Sequence, residues 1–321
     1  MQGLPQGFPH EPEVAGSPPL APSAPLLAAL LLAAPAGAAE APPDPPLARG
    51  EYVFHAAGCY ACHTDEKNHG RPLAGGRALP SPFGTFYTTN ITPDPDTGLG
   101  RWSEDEFLRA MRQGVGRQGE NLYPAFPYPS YTRLADDDLR ALWAWLRAQP
   151  PVRQENRPHR LAWFAGFRPF LGVWKLLFFR PGPFRPDPAR PASWNRGAYL
   201  AEAAAHCGEC HTPRSITGAP KASMRYAGAS RGPEGAVVPN ITPDPRTGIG
   251  RWSRSDLAGY LGTGLAPDGD LAGGLMAVEI DDGLKYLSPD DRAAIAEYVL
   301  SLPPIEHAVE KPKKKQRGEF E

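Results

Sequence analysis

The sequence has little cysteine, little methionine and almost no net charge, and these shortages exclude several classes of protein. Four cysteines in 321 residues are too few for a disulfide-dense scaffold. A net charge of −1 does not fit a protein that coats nucleic acid, because such a protein needs a basic surface. No uninterrupted apolar run reaches the roughly 20 residues that span a bilayer.

Proline and glycine, by contrast, are abundant, at 40 and 34 residues. Full disorder is nevertheless excluded, because 41% of the residues are hydrophobic and the chain holds 7 Trp, 11 Tyr and 13 Phe, which is enough apolar surface to form a core. The composition favours short ordered elements joined by many turns.

The N-terminus resembles a secretory signal peptide. Leu26–Ala34 is a short apolar run, and Ala36-Gly37-Ala38 is an A-x-A cleavage signal, so residues 1–38 are predicted to be removed on export. The usual positive n-region is missing, since residues 1–25 contain no Lys or Arg. The alternative is a Pro/Ala-rich disordered tail.

A long internal repeat organises the rest of the chain. Asn90–Ser103 reads NITPDPDTGLGRWS and Asn240–Ser253 reads NITPDPRTGIGRWS, with twelve identical positions at an offset of 150. Matches on both sides define a first unit, 47–151, and a second unit, 192–304, which together hold all four cysteines. A period this long predicts duplicated domains and not a solenoid.

Helical patterns lie at the ends of each unit. Leu139, Leu142, Trp143 and Leu146 recur at helical spacing within 137–149, which predicts an amphipathic helix. In the second unit Ser288-Pro289-Asp290-Asp291 is typical of a helix start. Further helices are expected to run from Glu51 and from Arg196 into the two cysteine motifs. The middle of each unit is expected to be loop, because it has no alternating β pattern of useful length.

The segment between the units is apolar. Leu161–Phe179 reads LAWFAGFRPFLGVWKLLFF, and its charges and Pro169 make a membrane-spanning helix improbable. Either it packs against the two units or it is a docking surface for a partner subunit or a membrane. The C-terminal residues 306–321, rich in lysine, are expected to be a solvated tail.

Each unit contains one C-x-x-C-H motif, the attachment signature of c-type haem. Two thiols on one helical turn add across the two vinyl groups of the porphyrin, and the adjacent histidine faces the iron. We therefore assign two covalent haems. The candidate attachment and iron-ligating residues are Cys59, Cys62 and His63 for haem 1, and Cys207, Cys210 and His211 for haem 2.

Three other chemistries compete for the cysteine pairs. A zinc ribbon usually keeps its pairs about 15–20 residues apart, whereas Cys62 and Cys207 are 145 positions apart. A thioredoxin-like redox pair expects a βαβ context that is missing here. Two ordinary disulfides remain open for an exported protein.

A low-spin haem needs a sixth ligand, commonly Met. Met276 lies in the Gly-rich segment Ala272–Ala277 and is the candidate for haem 2; core packing is the alternative. The offset of 150 places Phe126 at the equivalent position of haem 1, and Phe cannot ligate iron.

Haem 1 is therefore expected to be five-coordinate, water-bound or weakly ligated. Three other ligands remain open: His55, His69, or Met111 after a loop shift. The position of Met111 in a helical segment that begins at Glu104 favours a packing role.

Further side chains are candidates for haem contacts. Arg101, Trp102, Arg251 and Trp252 recur in the two units and offer donors to the propionates, or simply pack. We also expect the carbonyl of Pro213 to accept the Nδ1–H of His211. The first unit has Asp65 at that position, which predicts a different proximal side for haem 1.

The two C-x-x-C-H motifs, the NITPDPxTGxGRWS blocks, the LYPAFPYPSY loop at 122–131 and the terminal helices that end in Pro-Pro together resemble bacterial multihaem c-type cytochromes. These are cytochrome subunits of membrane-bound alcohol, aldehyde and sugar-acid dehydrogenases. In such relatives a Met iron ligand stands where this chain has Phe126. Relatives often carry a third haem domain, whereas this chain has two motifs.

The resemblance implies an all-α fold of two tandem class I cytochrome c domains, with a few helices and long loops around each haem. The expected organisation is a signal peptide (1–38), a first cytochrome domain (39–151), an apolar, Pro-rich linker (152–191), a second cytochrome domain (192–305) and a charged disordered tail (306–321).

The leading functional hypothesis is electron transfer from a periplasmic dehydrogenase catalytic subunit to a downstream cytochrome, oxidase or quinone, with peripheral membrane association and no nucleic-acid partner. No catalytic acid, base or nucleophile is expected. The alternatives are a peroxidase-like or thiosulfate-oxidising enzyme that uses an open site on haem 1, and a ligand sensor. The sensor is disfavoured because no output domain follows.

Overall fold

A computed structural model describes residues 45–310. The predicted signal peptide and residues 311–321 of the predicted tail lie outside this range. The described part is mainly helical. The helices are α1 (Pro45–Ala56), α2 (Cys59–His63), α3 (Glu104–Gln113), α4 (Tyr128–Tyr131), α5 (Asp136–Arg147), α6 (Pro169–Phe178), α7 (Ala192–Tyr199), α8 (Cys207–His211), α9 (Arg254–Thr263), α10 (Gly274–Asp282) and α11 (Pro289–Leu300). The strands are β1 (Ala78–Ser81), β2 (Gly84–Tyr87) and β3 (Arg160–Leu161).

The two units pack equivalent helices in equivalent ways. In the first unit α1 lies against α5, and in the second α7 lies against α11. Both crossings need a glycine. A β-carbon on Gly50 would collide with the carbonyl oxygen of Ala141, and one on Gly197 would collide with that of Ala294. Only the absence of a side chain lets these backbones approach so closely.

The predicted helix boundaries of the second unit agree with the structure. Ser288 caps α11 by accepting a hydrogen bond from the amide of Asp291, and Pro289 occupies the first turn. Ser103 and Ser253 start α3 and α9 with reciprocal capping boxes. Each of these caps satisfies amide donors that would otherwise lack a partner at the helix start.

The helices expected to run into the cysteine motifs are interrupted immediately before them. Gly58, with φ 60°, ends the path from α1 into α2. His206, with φ 37°, does the same before α8, after α7 has continued as a π-helical segment over Leu200–Ala204. The left-handed residue redirects the chain, so that each cysteine motif forms a separate one-turn helix.

A small antiparallel sheet in the order β1-β2-β3 was not expected. Ala78 pairs with Tyr87 and Ser81 with Gly84, and Thr85 of β2 pairs with Arg160 of β3. The strands have four, four and two residues and include a proline and a glycine. Such short strands carry no readable period-2 pattern, which is why they could not be predicted from the sequence.

Buried side chains from both units form one continuous hydrophobic core. Leu139 and Leu142 contribute from α5, and Leu200 and Ile295 contribute from the second unit. The segment between the units contains two regular elements: β3 joins the sheet, and α6 follows it. Within residues 45–310 no helix has the length and apolar character needed to cross a membrane.

Candidate haem-attachment sites

The two cysteine motifs occupy matching one-turn helices. In α2 and again in α8, two cysteines three positions apart precede a histidine at the helix end. One turn of helix places residues i and i+3 on the same face, so both thiols of a motif can reach one porphyrin edge. All four cysteines are unpaired and partly buried. This is the thiol arrangement that covalent haem attachment requires.

The electrostatics of the thiols differ from those of a redox-active cysteine pair. Burial raises the pKa of Cys59, Cys62 and Cys207 to about 12, and it also raises the pKa of Cys210. Redox-active C-x-x-C pairs lower the thiol pKa to form a reactive thiolate. The raised pKa values keep these thiols protonated at physiological pH, which does not favour thioredoxin-like chemistry.

Both motif histidines are oriented by a backbone carbonyl. The Nδ1 atom of His63 lies 2.6 Å from the carbonyl oxygen of Thr89, and Nδ1 of His211 lies 2.9 Å from that of Pro239. Burial lowers the pKa of both imidazoles, which favours the neutral form. When Nδ1–H donates to the carbonyl, Nε2 keeps a free lone pair for a metal. The donor sets therefore fit two c-type haems.

The expected role of Pro213 is wrong. Its carbonyl accepts a hydrogen bond from the amide of Lys221 at 2.9 Å and not from His211. The predicted proximal asymmetry is also wrong, because Thr89 and Pro239 stand at equivalent positions, 150 residues apart. The backbone turns after each motif, so the carbonyl that reaches the imidazole comes from a distant loop and not from the neighbouring residues.

Each NITPDPxTGxGRWS block fixes this distant loop. Asn90 directly follows Thr89; its side-chain amide donates to the carbonyl of Val152 at 2.7 Å, and its oxygen accepts from Thr92. Asn240 makes the equivalent bonds to the carbonyl of Ile305 and to Thr242. Both asparagines are 2% exposed. This positioning role was not predicted, although the repeated Asn was a visible signal for it.

The two candidate distal positions differ in structure. Phe126 lies in a loop, with its ring 5.7 Å from that of Tyr131 and 6.4 Å from that of Tyr128. Met276 was expected in a loop but lies in the first turn of α10, half-buried against the core. The residues after Gly274 are good helix formers, which explains the helix. Phe126 presents an aromatic ring where its counterpart presents a thioether.

The other proposed ligands for haem 1 have contacts of their own. Met111 is 4% exposed within the core, in agreement with a packing role. His55 stacks on Tyr286 with ring centroids 3.9 Å apart, and its Nδ1 lies 3.0 Å from the carbonyl oxygen of Asp282. His69 is exposed, with φ 55°.

The repeated Arg-Trp pairs have mainly structural contacts. Arg101 forms a surface ion pair with Asp96 at 2.6 Å, and Arg251 is exposed. Trp102 and Trp252 pack against the core, the latter edge-on to Tyr260. A propionate contact from these four residues stays a prediction.

The two cysteine motifs lie close to each other. Ser130 of the first unit donates to Glu209, inside the second motif, at 2.8 Å. The ring of Tyr131 lies 5.4 Å from that of His206. The carboxyl of Glu279 lies beside Gly58, next to the first motif, and contributes to the raised pKa of all four thiols. The two repeated motifs are therefore in contact through side chains of both units.

Comparisons with known proteins show that the chain is similar to c-type cytochromes. The family described as cytochrome c matches residues 47–150. The chain is 41% identical to a diheme cytochrome c-type of Cereibacter sphaeroides over 262 residues, 80% of this chain and 86% of that protein. It is 42% identical to the fructose dehydrogenase cytochrome subunit of Gluconobacter japonicus, over 81% of this chain and 53% of that subunit.

A similar match is found with the gluconate 2-dehydrogenase cytochrome c subunit of Pantoea cypripedii, at 41% identity over 79% of this chain and 59% of that subunit. The chain thus spans somewhat more than half the length of these two dehydrogenase subunits. It spans 21% of a nicotinate dehydrogenase subunit of Pseudomonas putida, to which it is 42% identical.

Proposed function

The chain belongs to the cytochrome c family, and we propose that it is a dihaem cytochrome carrying single electrons from a periplasmic dehydrogenase partner to a respiratory acceptor. Family membership implies covalent haem and electron transfer. We propose, beyond this, that there are two haems, that they belong to two tandem domains, and that the chain has the partner and the acceptor named above. A bound haem iron supplies reversible one-electron chemistry.

One observation carries the proposal: both histidines of the repeated motifs donate Nδ1–H to equivalent carbonyls. In the first unit Cys59 and Cys62 would hold the porphyrin, and His63 would be the proximal ligand. Cys207, Cys210 and His211 would do the same in the second unit. Since Thr89 and Pro239 fix the two imidazoles alike, each unit has a complete proximal side.

The distal sides support two sites of different potential. Met276 would complete a His/Met pair with His211, an arrangement that raises the potential of a c-type site. Phe126 offers no ligating atom to the first site. Axial ligation tunes haem potential over roughly 0.8 V, so this single difference would separate the two potentials and give the electron a direction.

The contacts between the motifs support internal transfer. Ser130 and Tyr131 of the first unit lie against Glu209 and His206 of the second. An electron that enters at one motif would therefore have a short path to the other. No acid–base residue is needed for such transfer, and the chain's task is to hold both centres at fixed positions.

The proposed donor follows from the named relatives, which include cytochrome subunits of fructose and gluconate dehydrogenases. We infer a dehydrogenase catalytic subunit as the partner, and a downstream cytochrome, oxidase or quinone as the acceptor. The predicted signal peptide supports a periplasmic location, where covalent haem attachment is compatible with export.

A spectroelectrochemical titration of the purified protein tests this function. The proposal predicts two one-electron transitions of equal amplitude at separate potentials. Met276→Ala should shift one transition to lower potential and leave the other in place, because only one site has a thioether ligand. A single transition, or a shift of both, would contradict the assignment.

A second candidate function rests on Phe126. A site without a sixth protein ligand can bind a small molecule, as a peroxidase-like or thiosulfate-oxidising enzyme requires. EPR of the ferric protein and CO binding to the ferrous protein separate the two functions. Two low-spin signals and no CO binding would exclude the enzyme. A high-spin signal together with CO binding would favour turnover assays with peroxide and thiosulfate.

A further inference from the structure

The linker segment 161–179 exposes an unusual concentration of apolar side chains. Among residues 45–310, eight of the thirteen large hydrophobic side chains that are exposed lie between positions 163 and 178. Trp163 is 89% exposed, Leu176 76% and Phe170 59%. No residue of α6 is buried. Exposed apolar patches of this kind mark interaction surfaces.

The inner side of α6 is fixed to the protein by polar contacts. The ammonium group of Lys175 donates to the carbonyl of Gly114 at 2.6 Å and to the side chain of Asn121 at 2.7 Å. The indole of Trp174 donates to the carbonyl of Thr217 at 3.1 Å. The guanidinium of Arg168 donates to the carbonyl of Asn121 at 2.7 Å.

These contacts hold α6 in one orientation. Its opposite side, with Phe170, Val173, Leu176 and Leu177, is exposed. The apolar face is therefore presented to the exterior by a fixed scaffold.

The charged side chains of the linker around this face are all positive. Residues 156–186 contain six Lys or Arg residues and no Asp or Glu, in a chain whose net charge is −1. The six are Arg157, Arg160, Arg168, Lys175, Arg180 and Arg185. Within the described part of the chain none of them forms an ion pair with a carboxylate. The segment thus has an unneutralised positive field that fits an anionic surface.

The segment has few hydrogen-bonding side chains, which favours a lipid surface over a protein as its binding partner. Between positions 161 and 184 there is no Ser, Thr, Asn, Gln, Asp, Glu, His or Tyr. Protein–protein interfaces carry about one hydrogen bond per 100–200 Å², whereas the outward-facing side chains of this segment offer only arginine donors and the indole N–H of Trp163. A bilayer needs no such pairing: apolar side chains enter the acyl region, tryptophan lies at the interface, and arginine contacts phosphate.

We propose that segment 161–179 lies on an anionic phospholipid bilayer, with the outer face of α6 inserted at the level of the headgroups. The helix has ten residues, about 15 Å in length, so it lies in the plane of the membrane and does not span it. The exposed Arg160 before the helix and Arg185 after it contact lipid phosphates. The inference does not depend on haem ligation or on the identity of the electron donor.

Vesicle flotation of the haem-loaded protein tests the inference. We expect the protein to float with vesicles of phosphatidylethanolamine and phosphatidylglycerol, and to float less with phosphatidylcholine vesicles or at high salt. The double substitution Leu176→Glu/Leu177→Glu should lower the partition coefficient by about tenfold or more. The matched control is Leu265→Glu/Leu271→Glu, which alters two exposed leucines outside the linker and should leave flotation unchanged.

Retained haem absorbance and helical circular dichroism establish that the variants are folded. Lack of flotation by the unsubstituted protein would overturn the inference. If a dehydrogenase subunit then protected the linker, the face would be assigned to a protein partner. Equal flotation of the linker variant and the unsubstituted protein would also overturn it. The two-transition redox titration is a separate readout, so failure here leaves the proposed function standing.

Discussion

The phenol of Tyr52 in α1 donates a hydrogen bond to the carboxylate of Asp291 in α11, across 239 positions of the chain. The reciprocal bond is also present: Tyr199 of α7 donates to Asp138 of α5. Each carboxylate is also paired within its own unit, Asp291 with Arg196 and Asp138 with Arg49. The repeated units therefore meet through an isologous contact, in which equivalent residues exchange roles as in a two-fold dimer.

The first prediction concerns this reciprocal contact. Tyr52→Phe and Tyr199→Phe should each lower the free energy of unfolding by about 1–2 kcal/mol, because each leaves a mostly buried carboxylate with one partner fewer. Denaturant titration of the haem-loaded protein measures the loss. Tyr123→Phe, outside this contact, should stay within about 0.5 kcal/mol. Equal effects at all three positions would contradict the special role of the contact.

The second prediction is a pH dependence at Asp291. Burial opposes its ionisation, but the bonds from Arg196 and Tyr52 outweigh burial and lower its pKa. Because the folded pKa lies below the unfolded one, the stabilisation is complete above the unfolded value, about pH 4, and is lost as pH falls through the folded pKa.

Asp291→Asn should therefore cost about 2 kcal/mol at pH 7, and the difference from the unsubstituted protein should shrink toward pH 2. Denaturant titrations of both proteins across this range give the difference directly. A constant difference at all pH values would show that ionisation of Asp291 plays no part.

The third prediction concerns the asparagines that anchor the loops behind the histidines. Asn90→Ala and Asn240→Ala should each cost about 1–3 kcal/mol, since they leave buried partners unsatisfied. Loosening the carbonyl of Thr89 or Pro239 should also weaken its bond to the imidazole, which makes the ligand less basic. The midpoint potential of the corresponding site should then rise.

The exposed Gln118 is a suitable control for this experiment, because within the described part of the chain its side-chain amide forms no hydrogen bond and only its backbone amide donates, to Glu120. Gln118→Ala should change the free energy of unfolding by no more than about 0.5 kcal/mol. If the loop asparagines lower stability without moving either potential, their role is structural and not one of positioning.

The fourth prediction is that Phe126→Met changes the ligation of the first site. The substitution places a thioether where the repeat has Met276, so a high-spin ferric signal should become low-spin and CO binding to the ferrous protein should fall. Phe126→Leu, which removes the ring without adding sulfur, should leave the signal high-spin. Identical spectra for the Met and Leu variants would show that position 126 does not face the iron.

Much of the helical framework was predictable because its signals are local. The start of α11 at Ser288-Pro289 and the amphipathic spacing in α5 depend on residues within a few positions of each other. The structure confirms these two helices, because no distant contact competes with their local signals. The cysteine motifs are equally local, and their assignment to haem stays a prediction.

The features that could not be predicted from the sequence depend on distant contacts. The carbonyl partner of His211 comes from Pro239, 28 positions away, and not from the nearby Pro213. The strand pair of β2 and β3 joins residues about 75 positions apart, and the Tyr–Asp exchange joins the two units. Helical or strand periodicity cannot reveal such pairs, although the repeated Asn90 and Asn240 marked the loops concerned.

We propose that one chain holds two covalent haems, one in each unit, and the haem stoichiometry of the purified protein tests this proposal. The pyridine haemochrome of the purified protein, with protein concentration from amino-acid analysis, should give two c-type haems per chain. Replacing the first motif's cysteines (Cys59→Ala/Cys62→Ala) or the second's (Cys207→Ala/Cys210→Ala) should each leave one. A ratio of one in the unsubstituted protein, or loss of haem from neither variant, would contradict the account.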